Sequence, residues 1–439
     1  MSNAPVIEPA GPRTATRREL PAGLNGWQQG AVFLAACAIL FARRPDAILH
    51  AQFYAEDGHV WFANAYNMGW WRPLLRPQDG YFQTFPRLGA ALALLAPLAL
   101  APLVMNLLAI AAQALPVNLL LSPRSRPWGS LRFRALLALM FLVLPNCNEI
   151  SLGITESQWM LAFSAFLLLV ALPPSGRAGR LFETILLALA GLTGPFCIFL
   201  LPVAVWLAWK RGSSPPGSWR WRPLWVLAPC CAIQACGLLL FDAGGRPHAA
   251  LGISADLFTR ILGGNIILGV LLGQNRFAAT PGAGILVLLA SALCAGAALA
   301  AVCFLKSGPP MRLLLLLSAA LFLASLVSSA TLPPPGTSVW QILAMAGGAR
   351  YWFFPSLAFA FALLWCARYG GQALRSASVV LLCALCFSVP LSWRRPALKD
   401  LHYGELARRF EAAPAGTVVV MPENPDPWTL RLEKRIQAR

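Results

Sequence analysis

The chain has 439 residues, 58% of them hydrophobic and 12% charged, with a formal net charge of +18. That balance excludes an ordinary soluble domain, where about a quarter of residues are charged. Apolar runs approaching the ~20 residues that cross a bilayer recur from Gly26 to Trp393. In such a chain the positive excess belongs to arginine-rich loops against anionic lipid headgroups, and nucleic acid is not an expected partner.

Residues 1–25, rich in Pro, Ala and Arg, read as a disordered cytoplasmic lead, with no cleavable signal evident. Residues 26–393 read as one all-α polytopic membrane domain, with about 10 to 13 transmembrane helices on the usual span length. Gly26–Ala42 is the first span. It is followed by the longest polar interruption of the apolar region, Arg43–Arg87, expected to be external and partly helical. With the amino terminus cytoplasmic, the rule that basic loops stay inside puts this loop outside; the pair Arg43-Arg44 runs against that rule. Pro86–Leu121 is too long for one straight span and is interrupted at Pro97, Pro102 and Pro116, so it reads as a broken helix plus a partial one. The basic loop Pro123–Arg134 then belongs inside. Ala135–Pro145 and Trp159–Leu172 alternate across the membrane. Leu181–Trp209 is again too long and is read as two helices meeting at the break Gly191-Leu192-Thr193-Gly194-Pro195. Further helices are expected at Pro223–Phe241, Leu257–Gly273, Gly284–Leu305, Met311–Ser328, Tyr351–Cys366 and Ala377–Ser392. Residues 394–439 form a short external tail with a β-strand at 416–422, too small to be an independent domain.

This topology sorts the acids. Of 17 Asp and Glu residues, only Glu8, Glu19 and Glu183 fall on the inner side. The one-sidedness suits an outward-facing site that handles a cation, a metal or a hydroxyl proton. Within it, Glu56-Asp57 is an adjacent acid pair flanked by Phe53, Tyr54, Trp61 and Phe62. Two neighbouring carboxylates do not ionise freely in a partly desolvated cleft, so one is available as a base. The same pair is of the type that binds Mg2+ or Mn2+ on a lipid phosphate, or is simply a solvated turn. Trp70, Trp71 and Tyr81 read as interfacial anchors or as platforms for a sugar. Asn146, Asn148, Glu149, Glu156 and Gln158-Trp159 crowd one outer turn, where costly acids point to function. Arg350, beside Tyr351, is an arginine on the side where basic residues are not expected. Its guanidinium suits a phosphate or a structural pair with an outer acid. Trp61 and Arg87 complete the candidate binding residues. The cysteines lie mostly inside apolar runs and read as small core residues. The four histidines show no ligand spacing, and neither a nucleophilic-serine motif nor a phosphate-binding glycine loop occurs.

The run Glu56-Asp57-Gly58, then Trp61-Phe62, Ala65, Gly69-Trp70-Trp71 and Pro73, followed by Gly80-Tyr81 and Pro86-Arg87-Leu88, resembles the first external loop of GT-C superfamily glycosyltransferases. Protein O-mannosyltransferases and the aminoarabinose transferases of lipid A are better-known members. The resemblance is carried by residues 53–88 and is architectural elsewhere. The Gly191–Pro195 break resembles the superfamily's glycine-threonine-lysine-proline-like turn, but Gly194 stands where a lysine is common. The resemblance implies a bacterial enzyme with an external active site; in an inner membrane that side, where the topology also puts the carboxyl terminus, is the periplasm. It implies a polyprenyl-phosphate-linked sugar donor, a glycan, lipid or protein acceptor, and inversion at the anomeric carbon. Asp57 or Glu56 would be the base, and Arg350 or a metal would steady the leaving phosphate. The alternative is a non-enzymatic transporter or assembly partner for lipid-linked glycans. A transporter would place charges along a midplane path, whereas these acids gather at one face.

Overall fold

The computed structural model describes residues 23–146, 149–151, 153–210, 221–241, 250–273, 279–328, 333–345 and 348–435. Residues 1–22 of the amino-terminal lead, Asn148, residues 211–220, Asp242 and Gly347 lie outside the described residues.

The helices are α1 (Gly26–Arg43), α2 (Thr84–Ala93), α3 (Ala101–Leu121), α4 (Leu131–Val143), α5 (Ser157–Val170), α6 (Gly176–Gly191), α7 (Cys197–Lys210) and α8 (Arg222–Phe241). They continue as α9 (Ala255–Leu272), α10 (Ala283–Lys306), α11 (Pro309–Val327), α12 (Phe353–Tyr369), α13 (Gln372–Leu391) and, in the tail, α14 (Tyr403–Ala412). Among the described residues, seven helical stretches are long and apolar enough to cross a membrane, and α5 and α7 are shorter apolar helices. The chain is an all-α polytopic membrane protein.

Every residue of α5 is buried, which makes it the central post of the bundle. Outer helices do the opposite: α8, α10 and α13 expose Leu239, Leu240, Val287, Leu305, Val380 and Phe387. Apolar surface on that scale is stable only against lipid. Cys236, Cys294, Cys383 and Cys386 are exposed. They are therefore small lipid-facing residues, and the reading of the cysteines as core holds only for others such as Cys197 and Cys366.

The two overlong apolar stretches are broken where proline and glycine fall. α2 ends at Ala93, a short turn Leu98–Leu100 follows Pro97, and α3 runs on from Ala101. At the second break, Gly191–Pro195 receives the end of the first loop. The Thr84 amide donates to the Leu192 carbonyl (3.0 Å), the Gly194 amide to the Phe82 carbonyl (2.9 Å) and the Phe85 amide to the Thr193 hydroxyl (3.1 Å). Gln234 of α8, fully buried, fastens both sides by accepting from the Phe82 amide (2.8 Å) and donating to the carbonyls of Phe82 and Gly194 (3.1 Å each). Gly194 has φ +81°, and a Cβ there would lie 2.4 Å from the Gln158 side-chain oxygen. A lysine at this position would be strained by the positive φ.

The anomaly at Arg43-Arg44 also resolves. Arg43 is buried and donates to the carbonyls of Leu142 (2.7 Å) and Leu144 (3.5 Å), the unsatisfied end of α4. Arg44 lies 3.6 Å from Asp46. Arg43 serves a helix C-terminus and Arg44 a neighbouring acid, so neither votes on orientation. Glu183, the α6 acid expected on the inner side, is paired with Arg124.

The tail is more structured than its sequence suggests. After α14 come β1 (Val418–Pro422) and β2 (Thr429–Glu433), paired antiparallel with Val418 opposite Glu433 and Pro422 opposite Thr429. Tyr403, Phe410, Met421, Leu430 and Leu432 bury themselves against Phe53, Trp61, Phe62 and Ala65 of the first loop in one apolar cluster. Loop and tail thus share a core that neither has alone.

Candidate active site

The first loop turns at Tyr54–Glu56 into a helix, Asp57–Phe62 continued by Ala63–Met68. Its opening turn is widened: the Ala63 amide bonds to the Gly58 carbonyl, five residues back. Such π-type turns occur frequently at functional sites. Asp57 is only 1% exposed, so the alternative of a solvated turn does not hold for it. Its side chain crosses to the segment before α5. There Oδ2 accepts from the Ile154 amide (3.0 Å), and Oδ1 accepts from the Thr155 amide (3.1 Å) and hydroxyl (2.6 Å). Gly153 permits this approach, since a Cβ there would lie 2.0 Å from Oδ2. Thr155 in turn accepts from the Trp61 indole N–H (2.6 Å). Burial raises the Asp57 carboxyl to about 6, against the downward pull of its three hydrogen bonds.

The next residue along, Glu156, faces a second cluster. Its Oε2 accepts from the Trp159 indole (2.8 Å), and its Oε1 lies 3.9 Å from the Arg350 guanidinium. Arg350 donates its backbone N–H to Glu149 Oε2 (3.0 Å), closes an ion pair with Glu149 Oε1, and sits 5.1 Å from the Tyr351 ring centroid. Burial pushes Glu156 up to about 8, with Arg350 opposing it. Tyr81 lies within electrostatic range of Tyr351, Arg350 and Glu156. Gln158 accepts from Gln83 (3.1 Å) beside the Gly194 turn. Ile154-Thr155-Glu156 is therefore a joint: two residues hold the acid-pair turn and the third meets the guanidinium.

The candidates divide accordingly. Asp57, Trp61, Glu149, Glu156, Gln158, Arg350, Tyr351 and Tyr81 gather around this joint. Glu56 is partly exposed and lies within electrostatic range of Glu156 and Asp57; among the described residues no hydrogen bond engages its side chain. Arg87 is buried beneath, with its guanidinium 4.9 Å from the Trp61 ring centroid and Nε and Nη1 without hydrogen bonds. Trp70 and Trp71 are more than half and half exposed, with Arg72 over Trp71, and no described contact joins them to the buried carboxylates.

Thr155 and Glu423 were not legible as site residues. Thr155 meets Asp57, and Glu423 the amide of Gly58 beside it, only through contacts spanning 98 and 365 residues, which no local spacing signals. For a divalent metal the fit is poor. Asp57 has spent three of its roughly four lone-pair positions on hydrogen bonds. Among the described residues no group of three or more His, Cys, Asp and Glu side chains is placed to hold an ion.

No family model matches the chain, and no curated protein matches it in sequence. Among solved structures, the archaeal oligosaccharyltransferase AglB from Archaeoglobus fulgidus, in complex with an inhibitory peptide and a dolichol-phosphate, is similar at a TM-score of 0.39 and 15% identity. The match covers 88% of this chain and 58% of that one, so the chain spans less than two thirds of AglB's length. A likeness this weak carries no functional argument, and function has to be read from the geometry of the site.

Proposed function

We propose that the protein is a GT-C-type membrane glycosyltransferase that moves a sugar from a polyprenyl-phosphate donor to an acceptor hydroxyl, with inversion. The observation that carries the reading is the joint at Ile154–Glu156. It sets an acid pair beside a guanidinium at the end of an apolar bundle, where a lipid-borne phosphate would present its sugar. The acceptor O–H gives its proton to the acid pair as its oxygen attacks the anomeric carbon. The bond from that carbon to the phosphate oxygen breaks, and the phosphate leaves with the electron pair.

Within the pair the roles differ. Asp57 has the raised proton affinity and the fixed position, while Glu56 has the free oxygens. Arg350 meets the phosphate by exchanging Glu149 for it, one anion for another. No step is assigned to a metal. The site faces the periplasm of a bacterial inner membrane in this reading, and the acceptor is a glycan, lipid or protein hydroxyl.

The test is transfer by the purified protein in detergent against a panel of polyprenyl-phosphate sugars. Transfer with inverted anomeric configuration is expected. Absence of transfer from every donor, or retention of configuration, overturns the reading.

A further inference from the structure

The acid-pair helix begins without a cap of its own. The first amides of a helix have no intrahelical acceptor and need one from elsewhere. Glu56, at the capping position, makes no side-chain capping bond, and Asp57 is turned away to Ile154 and Thr155. The acceptor comes from the other end of the chain: Glu423 Oε1 takes the Gly58 N–H at 2.9 Å. Gly58 is glycine for this reason, since a Cβ would lie 2.5 Å from that oxygen and 2.8 Å from the Phe53 Cβ.

Independent contacts hold the Glu423 turn over the same helix start. The Ala55 amide donates to the Asn424 carbonyl (2.6 Å), and the His59 ring nitrogen Nδ1 lies 2.7 Å from the Thr429 carbonyl. Trp428 packs edge-on to the His59 ring at 5.3 Å, and Glu423's own amide closes the turn on the Trp428 carbonyl (3.0 Å). Glu423 itself is 2% exposed. The turn between β1 and β2 is thus a strap across the residues on either side of Glu56-Asp57.

We propose that Glu423 is a positioning residue of the active site: by capping the Asp57 helix in trans, it fixes where the acid pair points. This rests on the glycosyltransferase reading for its kinetic consequence, not for the cap itself. Glu423→Gln keeps an oxygen at the Gly58 amide. Glu423→Ala removes it, and Glu423→Asp keeps the carboxyl group but retracts its oxygen by one methylene. Small misplacement of reacting groups costs about 100-fold in rate.

The experiment measures kcat, acceptor KM and amide exchange at Gly58 and His59 in the full-length protein. Expected is a loss of about 10- to 100-fold in kcat for the Ala and Asp variants at unchanged KM. The Gln variant should hold wild-type kcat and wild-type amide protection. Wild-type kcat in Glu423→Asp, or a loss of kcat in Glu423→Gln, overturns the proposal; these two variants decide it if the alanine form does not fold. If wild-type protein transfers no sugar, the functional reading fails, and exchange alone judges the cap. Protection lost in Ala and Asp but kept in Gln supports it, and equal protection in all variants overturns it.

Discussion

Asp57 shows how a residue's chemistry depends on where it is put. As a loop acid it would be cheap to replace; as a buried group holding three hydrogen bonds it is not. Asp57→Asn must present an NH2 group to at least one of the donors from Ile154 and Thr155. A cost of about 1–3 kcal/mol is expected from the unsatisfied donor. Loss of basicity should also lower transfer by about 100- to 10,000-fold. Thermal unfolding and initial rates in detergent separate the two effects. If Asp57→Asn is destabilised yet keeps its rate while Glu56→Gln is inactive, Glu56 is the base; if both keep their rates, the acid pair is only a structural turn. Arg350 is the second decisive residue. Lysine retains its charge but cannot keep both the Glu149 contact and a forked hold on phosphate, so Arg350→Lys should raise the donor KM about tenfold or more. An unchanged donor KM in both the lysine and alanine variants would leave Arg350 as a partner of Glu149 alone.

At the scale of elements, the sequence revealed helices and breaks because both are written locally. Apolar runs define α8 and α10–α13, and Gly191–Pro195 stops α6 where its residues cannot continue a helix. The strand at 416–422 was visible in Val418-Val419-Val420, but its partner Thr429–Glu433 alternates apolar and charged residues and shows itself only when Leu430 and Leu432 meet the loop. The assembled site was half legible: Glu56-Asp57, Glu156 and Arg350 stand out as charges in apolar surroundings. Thr155 and Glu423 matter through long-range contacts that have no pattern along the chain. The loop–tail unit has a pH signature. Burial raises Asp57 to about 6 and Glu423 to about 9. The folded form therefore binds these protons more tightly than the unfolded chain, and stability falls as pH rises. Their contribution is complete below the ordinary carboxylate range near pH 4 and is lost progressively up to about pH 9. Unfolding of the loop–tail unit followed by exchange of the Gly58 and Ala55 amides should show less protection at pH 9 than at pH 6. Equal protection would mean these carboxyls are not desolvated in the folded protein.

For the whole molecule, the arrangement that matters is which parts share an end of the bundle. Loop 43–87 and the tail are bound into one apolar cluster, and the joint at Ile154–Glu156 and the Glu149–Arg350 pair lie against them. The arginines of 124–134 and the 173–180 turn meet elsewhere: Arg124 takes the Leu172 carbonyl at 2.7 Å and pairs with Glu183. Arg43 serves a helix end and Arg44 pairs with an acid, which sets both aside from the orientation count; the basic turns at the second end are then the reason to expect the first end in the periplasm. Single cysteines at Gln78, Ala415 and Ala178, in a background freed of the native cysteines, test this with an impermeant thiol reagent. In intact cells with a permeabilised outer membrane, positions 78 and 415 should label and position 178 should react only after lysis. Labelling at 178 with protection of the other two would reverse the orientation and put the acid pair on the cytoplasmic side, where a periplasmic acceptor is out of reach. A difference between positions 78 and 415 would be more damaging, because it would separate the loop from the strap that caps its helix.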